Sequence, residues 1–442
     1  MIFMKKVIKS IYLLSAITLG LTGCKNEPIL NPNAPTIEAI IKNPSIGELN
    51  NLVTGSESAM RVELPLYTDI VSIIGREYYY INTSEPRYVQ ELAGDKDFSL
   101  GSSTFYAGNS WLSRYNVVKN CNILLQAVQN CTFLKNDNER NGYIGFAKTI
   151  MAYQLLLNLN NVYENGIRVD VADPKKLGPF VTKDEALTAI AGLLDEGATA
   201  LKNATVLYTL SSGFAGLDDA EGFRKFNRAL AARVALYREK WTDALQNISE
   251  SFVNLPLTNN NLYVGAKHIF SASNGDLLND MKSLLNGENE ARIVQAKYLP
   301  EMEAGDDRGS KVAARNKALS AGGLTSNQDV NIYPADVSPV YIIRNEELAL
   351  IKAEASIQNN DLATAKDILD NIRQIHGLAP TPETTKDGLI NEMLKQRRYS
   401  LFGEGHRWID MRRYNRLNQL PLDRQGDQVW KQLPIPNQET TK

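Results

Sequence analysis

Hydrophobic residues recur every three to four positions along much of this chain, which is the spacing of helices that bury one face. The stretches with this period are 45–61, 111–128, 141–162, 183–202 and 221–238. Two of them open with a capping box, Ser45 with Glu48 and Thr182 with Glu185, in which each partner satisfies a backbone N–H of the other. The pattern predicts an all-α protein.

A repeat with an offset of 121 residues links two helical regions. The stretch Leu230–Ile248 (LAARVALYREKWTDALQNI) matches Ile351–Leu369 (IKAEASIQNNDLATAKDIL). In each copy two alanines lie twelve residues apart across a polar turn: Ala232 with Ala244, and Ala353 with Ala365. Small residues at these points let antiparallel helices pack closely, as in tetratricopeptide repeats. We predict a scaffold of about four helical hairpins, within about 111–250 and 341–415.

Two segments lack this period. Residues 62–110 and 251–340 are rich in Tyr, Gly, Ser and Asn, which favours loops. We therefore expect a loop-rich N-terminal segment and an irregular insertion, packed on the helical scaffold within one domain over 45–442.

The N-terminus has the layout of an export signal. Three lysines precede an apolar run over 11–21, which is too short to span a bilayer as a mature helix. The run ends Leu21-Thr22-Gly23-Cys24. Small residues followed by Cys indicate a bacterial lipoprotein signal over 1–23, lipidation of Cys24, and a polar tether over 24–44. The alternative is an ordinary signal peptide that contains a cysteine.

The net charge of the chain argues against a nucleic-acid partner. The formal net charge is -2, and removal of 1–23, with three lysines and no acids, would leave -5. No basic stripe is present, so we predict no nucleic-acid partner.

Cys121 and Cys131 lie ten residues apart in a helical pattern, about 15 Å, which is beyond disulfide reach. Free thiols are therefore expected.

Several common catalytic and cofactor-binding motifs are absent from the sequence. It has no GxSxG, Walker loop, GxGxxG or CxxC motif, and its three histidines never lie three or four residues apart. We predict no catalytic residue, no cofactor and no metal. Two acidic groups have the ligand type for calcium, but their positions favour structural roles. Asp218, Asp219 and Glu221 indicate a helix N-terminus, and Asp306 with Asp307 beside Arg308 indicates a salt-bridged turn.

One polar aromatic segment suggests a binding surface. In GREYYYINTSEPRY the candidate residues are Arg76, Tyr78, Tyr79, Tyr80 and Asn82. Tyrosine rings stack on the C–H faces of sugars, and amide and guanidinium groups bond sugar hydroxyls. The alternative is a strand that buries some of these rings. Because side chains alternate along a strand, we expect at least one ring to be exposed.

Arg87, in the same segment, and three tyrosines elsewhere are weaker candidates for ligand contact. The tyrosines, in or near the insertion, are Tyr298, Tyr333 and Tyr341.

The C-terminal third resembles a known family. The stretch from Gln396, QRRYSLFGEGHRWIDMRRY, and the closing LPIP followed by Glu439 resemble the SusD/RagB family. RNEELALIKAEASIQNND and FNRALAARVALYREKWTDAL resemble its helical repeats. In this motif His406 beside Glu404 and Asp410 is interpreted as part of a packed signature helix, with Arg397, Glu404, Arg412 and Arg413 in ion pairs, rather than as an acid–base site.

The resemblance implies a function and a location. SusD/RagB proteins are surface lipoproteins of Bacteroidetes that bind glycans, or in some members peptides, and sit as a lid on a SusC-like TonB-dependent transporter. We therefore expect an outer-membrane, lipid-anchored glycan-binding protein. The alternatives are a peptide-binding protein of the same architecture, a non-catalytic scaffold of the transporter complex, and a glycan-degrading enzyme, against which the missing motifs argue.

Overall fold

Thirteen α-helices dominate the computed structural model, which describes residues 37–440. They are α1 Ile37–Lys42, α2 Ile46–Ala59, α3 Leu64–Ile74, α4 Phe105–Asn130, α5 Asp137–Val162, α6 Lys183–Leu201, α7 Ala220–Tyr237, α8 Trp241–Ser249, α9 Asn345–Gln358, α10 Leu362–Ile375, α11 Lys386–Ser400, α12 Arg407–Arg413 and α13 Asn437–Thr440. The predicted all-α class is confirmed, and both capping boxes form, at α2 and α6.

The 121-residue repeat corresponds to two helical hairpins, α7–α8 and α9–α10. The turns are equivalent, with positive φ at Glu239 and at Asn360, exactly one repeat apart in numbering. In each, the next residue donates its N–H to a carbonyl five residues back, at 2.9 Å in both copies. The four alanines of the repeat are fully buried, as the close-packing interpretation requires.

Eight short strands accompany the helices, where loops were expected. They are β1 Tyr78–Asn82, β2 Ile167–Arg168, β3 Phe180–Val181, β4 Gly265–His268, β5 Glu290–Val294, β6 Val312–Ala321, β7 Leu324–Val330 and β8 Val340–Arg344. The largest sheet is antiparallel with the order β1-β5-β7-β6, and β4 pairs with β8. Four of these strands, β4 to β7, lie within the predicted insertion 251–340, so that segment is more regular than expected.

The segment 62–110 also contains a helix that the pattern missed. Ten of the 11 residues of α3 are buried. A helix buried on all sides has no polar face, and hence no amphipathic period to detect.

A layer of buried ion pairs surrounds α9. Its acids Glu346, Glu347 and Glu354 are each at most 1% exposed. Glu346 pairs with Arg344 and His376, Glu347 pairs with Arg233 at 2.6 Å, and Glu354 pairs with Arg413 at 2.8 Å. Burial alone would raise the pKa of Glu347, but the Arg233 guanidinium holds it below its usual value. Buried ion pairs therefore connect helix α9 to α7, to the end of α10 and to α12.

The family-like C-terminal stretch forms two helices rather than one. α11 ends at Ser400, and Gly403 and Gly405 turn the chain with positive φ before α12. The φ of +70° at Gly403 favours glycine, and a Cβ there would also displace the Ile332 side chain, 2.3 Å away.

Most of the predicted ion pairs of this stretch form. Arg397 bonds Asp410 at 2.6 Å, Glu404 bonds Arg344, and Arg413 bonds Glu354. The prediction for Arg412 is wrong: it donates to the carbonyls of Lys431 and Asn160, and lies 3.9 Å from the Tyr163 ring centroid.

Two further predictions concern cysteines and the N-terminus. Cys121 and Cys131 are buried free thiols, as expected. The signal peptide, Cys24 and the first part of the tether lie outside the described residues, and residues 37–42 of the tether form α1.

Removing one partner of a buried pair should be far more costly than removing both. Arg233→Met leaves Glu347 charged in the interior, and we expect it to lower the unfolding free energy by about 3–5 kcal/mol. Arg233→Met combined with Glu347→Met should cost clearly less than the single change. Urea unfolding of both variants measures this, and a double variant as unstable as the single one would argue against the pair.

His406 should make the protein sensitive to acid. Burial is the main cause that lowers the pKa of His406 to about 4, from an ordinary 6.5. In the unfolded chain His406 has its ordinary pKa, so as pH falls below 6.5 the unfolded state takes up a proton that the folded state does not. This proton uptake stabilises the unfolded state, and the folded protein loses stability between pH 6.5 and 4. Relative to His406→Gln, wild type should lose about 2 kcal/mol of unfolding free energy between pH 6.5 and 5, at 1.36 kcal/mol per pH unit. Parallel stability curves for the two proteins would contradict this assignment.

Candidate functional site

The predicted tyrosine cluster lies in the interior. Tyr78, Tyr79 and Tyr80 are 1%, 3% and 8% exposed, so the expectation of an exposed ring is wrong. Strand β1 pairs with β5, and both of its faces are covered. The hydroxyls donate inward: Tyr78 to Asp69 at 2.9 Å, Tyr79 to Asp423, and Tyr80 to Glu290 at 2.5 Å.

The polar residues beside these tyrosines have structural partners too. Arg76 is 1% exposed and donates to the carbonyls of Pro421 and Gln428, at 3.2 and 2.7 Å. Asn82 accepts the N–H of Ser84, which closes a turn. Arg87 is paired with Glu85 and lies over the Phe105 ring. In this structure the segment ties β1 to the C-terminal chain and presents no stacking platform.

The acidic groups have the structural roles expected for them. Asp219 caps α7 by accepting the N–H of Gly222 at 2.6 Å, and Asp306 pairs with Arg308 at 2.7 Å. Within residues 37–440 no three His, Cys, Asp or Glu side chains are grouped to hold a metal ion. His406 is buried, with its Nε2 3.7 Å from the Glu347 carboxylate.

An exposed pair of tyrosines lies at the β4–β8 ladder instead. Tyr341 belongs to β8, and Tyr263 lies two residues before β4. Their ring centroids are 6.1 Å apart and the ring planes are inclined by 32°. Tyr263 is 50% exposed and Tyr341 is partly exposed, so two aromatic surfaces face solvent side by side. Tyr298 and Tyr333, the other weaker candidates, are buried.

A buried arginine supports both rings. The Arg344 guanidinium carbon lies 5.2 Å from the centroid of Tyr263 and 5.9 Å from that of Tyr341. Arg344 is held by Glu404 at 2.9 Å, by Glu346, and by the Ser400 carbonyl at 2.6 Å. Because a planar cation fixed on three sides cannot move easily, it keeps the two rings in a defined position.

The backbone beneath the pair leaves no room for a larger residue. Gly265 is paired with Arg344 in the ladder. A Cβ at Gly265 would lie 2.2 Å from the Ile343 carbonyl oxygen and 2.6 Å from the Arg344 Cα. Glycine at this position therefore lets strands β4 and β8 approach each other next to the two tyrosines.

Polar groups surround the aromatic pair. Lys267 faces Tyr341 across the ladder, with its Nζ 5.8 Å from the ring centroid. Burial raises the pKa of both tyrosine hydroxyls, although Arg344 opposes the shift, so both stay protonated at neutral pH. Behind the rings, Glu346 bonds His376 at 2.8 Å, and His376 bonds the exposed Asp307 at 2.7 Å. The site thus offers stacking faces with hydrogen-bond donors and acceptors nearby.

Sequence reasoning found only half of this pair. Tyr341 is one of the weaker candidates from the sequence, whereas Tyr263 is not a candidate. The two are 78 residues apart, and only the β4–β8 pairing brings them together. A local signal was present in Tyr263-Val264-Gly265, an aromatic residue just before a glycine within a polar segment.

Over residues 37–440, no helix has both the length and the apolar character needed to cross a membrane.

Solved structures of similar fold include proteins from Bacteroides and Parabacteroides species. A SusD superfamily protein from Bacteroides vulgatus has a TM-score of 0.68 at 15% identity, over 89% of this chain and 96% of that one. A SusD superfamily protein from Parabacteroides distasonis has a TM-score of 0.66 at 17% identity, over 89% and 97%. Surface glycan-binding protein A from Bacteroides thetaiotaomicron, in complex with laminarihexaose, has a TM-score of 0.70 at 14% identity, over 89% and 97%. No curated protein matches the chain in sequence.

The sequence itself supports the same family. Residues 326–441 match the SusD family model, a range that contains β8, the α9 carboxylates and the stretch from Gln396. The fold over most of the chain is that of SusD superfamily proteins. The sequence of this C-terminal region and the fold over most of the chain are therefore similar to those of SusD-family proteins.

Proposed function

We propose that this protein captures oligosaccharides at the cell surface and delivers them to a TonB-dependent, SusC-like outer-membrane transporter. The observation that carries the proposal is the Tyr263–Tyr341 pair, exposed on a fixed Arg344. Sugar rings present flat C–H faces to aromatic rings and hydroxyls to polar groups, and this site offers both kinds of contact.

The fold neighbours support a carbohydrate ligand. One of them, from Bacteroides thetaiotaomicron, is a glycan-binding protein with laminarihexaose bound. SusD-like proteins bind carbohydrate without catalysis, so the protein is not an enzyme. Its contribution is to hold a ligand, which fits an open surface of two rings better than it fits a closed catalytic pocket.

Attachment to the outer membrane through Cys24 belongs to the same proposal. Two or more acyl chains give stable membrane attachment, whereas one chain holds only marginally. A diacylglyceryl cysteine at position 24 would keep the binding domain at the surface, near its transporter.

The tyrosine pair should determine glycan affinity. A stacked ring that buries about 100 Å² contributes at most about 2.5 kcal/mol, so Tyr263→Ala and Tyr341→Ala should each weaken binding by up to about seventy-fold. Calorimetry with the soluble domain and a panel of neutral oligosaccharides, laminarihexaose included, measures this.

Phe133→Ala is the matched control, because Phe133 is an equally exposed ring, at 56%, in the α4–α5 connection. It should leave affinity unchanged. Equal affinity in the tyrosine variants and wild type would show that the oligosaccharide binds at another surface. Binding of a peptide panel, with no oligosaccharide bound, would favour the peptide alternative.

The anchor can be tested separately. Cys24→Ala should move the protein from the membrane fraction to the soluble fraction, because the site of acylation is lost. Cys131→Ala, which removes a buried thiol, should leave it in the membrane. Mass spectrometry of the wild-type N-terminus should show an acylated Cys24, and an unmodified N-terminus at another residue would refute the anchor.

A further inference from the structure

A second cavity lies at the end of β4 that is farther from Tyr263. Its volume is about 140 Å³, and it is lined by the last turns of α2, by Ser211, and by His268 and residues that follow it. Thr54 and Ser58 of α2 line it as well and are exposed, as is Ser211, so the cavity is open to solvent. A space of this size can admit one end of a small organic molecule.

The imidazole of His268 has an unpaired nitrogen in the wall of this cavity. His268 is 4% exposed, and its buried Nε2 has no hydrogen-bond partner within residues 37–440. Burial, with smaller contributions from Arg114 and Arg61, lowers the pKa of His268 to about 3, so the ring is neutral at physiological pH. Buried polar atoms in proteins nearly always have a partner, so an unpaired one beside a cavity indicates an occupant.

A carboxylate without a counter-ion lies in the same cavity. Glu57 is partly buried, and both of its oxygens accept the N–H of Ser211, at 3.2 Å. Burial raises the pKa of Glu57, although the Ser211 contacts and the charge of Arg61 oppose the shift. A cation bound beside Glu57 would offset the cost of burying its charge.

The arginines nearby are engaged with other groups. Arg61 pairs with Asp276 at 2.6 Å. Arg114 is fully buried, and it donates to two carbonyls of the α2–α3 connection and to Gln154. In the described part of the chain no three His, Cys, Asp or Glu side chains are grouped to hold a metal ion. The cation that best suits Glu57 is therefore a small organic one.

We propose that this cavity is a binding site for a protonated primary amine, with Glu57 as its counter-ion and His268 as a neutral hydrogen-bond partner. An ammonium group has three N–H donors, and the carboxylate, the imidazole and the hydroxyls of the cavity wall are acceptors. Amino sugars and lysine side chains both carry this group. The site is separate from the Tyr263–Tyr341 surface, so the proposal goes beyond the proposed function and does not depend on it.

Calorimetry on the full-length protein in a mild detergent tests the proposal. Glucosamine, an amino sugar, and n-butylamine, which mimics a lysine side chain, are each compared with the N-acetyl derivative, which has no charge. At least one amine should bind about tenfold or more tightly than its acetylated form, and the tighter of the two identifies the source of the amine. Absence of binding, or equal binding of amine and acetylated form, would overturn the proposal.

Glu57→Gln should lower the affinity for that amine by about tenfold or more, because the amide oxygen can still accept the Ser211 N–H but the charge is lost. His268→Leu, which removes the unpaired nitrogen, should also lower it. Glu288→Gln is the matched control, since it neutralises an exposed carboxylate outside the cavity and should leave the affinity unchanged. Undiminished affinity in Glu57→Gln would refute the site.

Tyr263→Ala separates this site from glycan capture. It should bind the amine as wild type does, whatever its effect on oligosaccharide affinity. Loss of amine binding in Tyr263→Ala would assign the amine to the tyrosine surface and overturn the proposal. Glu57→Gln should in turn bind neutral oligosaccharide as wild type does, so failure of one site leaves the other testable.

Discussion

The buried carboxylates of α9 are the constraint on which the rest of the structure depends. Three glutamates in one helix are held inside the protein, and each needs a cation close by, because an unpaired buried charge is strongly destabilising. Their partners are Arg233 in α7, Arg344 at the end of β8, His376 just after α10, and Arg413 in α12. Each pair fixes the position of one element against α9, so the ion pairs specify how the hairpins assemble, while the buried alanines set how closely they pack.

The buried ion pairs of α9 extend to the proposed binding surface. Arg344, one residue before α9, neutralises Glu346 on one side and supports Tyr263 and Tyr341 on the other. Burial would raise the pKa of Glu346, yet Arg344 and His376 hold it well below its usual range, so the carboxylate stays charged and keeps the arginine in place. A shallow surface binds weakly unless it is preorganised. The interior network provides that preorganisation, which explains how a site of only two rings could serve for capture.

Local features of the fold were predictable from the sequence, and distant pairings were not. The caps at Ser45 and Thr182 and the alanine repeat depend on residues a few positions apart, which the sequence displays directly. The sheet depends on Tyr80 meeting Arg292, more than two hundred residues away, for which no local pattern exists. The burial of the tyrosine cluster was unpredictable for the same reason, because Asp423 and Gln428, which bond Tyr79 and Arg76, lie near the other end of the chain.

The central claim is that the ligand lies on the surface formed by Tyr263 and Tyr341. A crystal structure of the soluble domain with a bound oligosaccharide tests it most directly. The account predicts sugar rings stacked on both tyrosines, with Arg344 unmoved behind them and Tyr78–Tyr80 still buried. Sugar density at another surface, or a β1 segment that opens to place its tyrosines against the ligand, would contradict it.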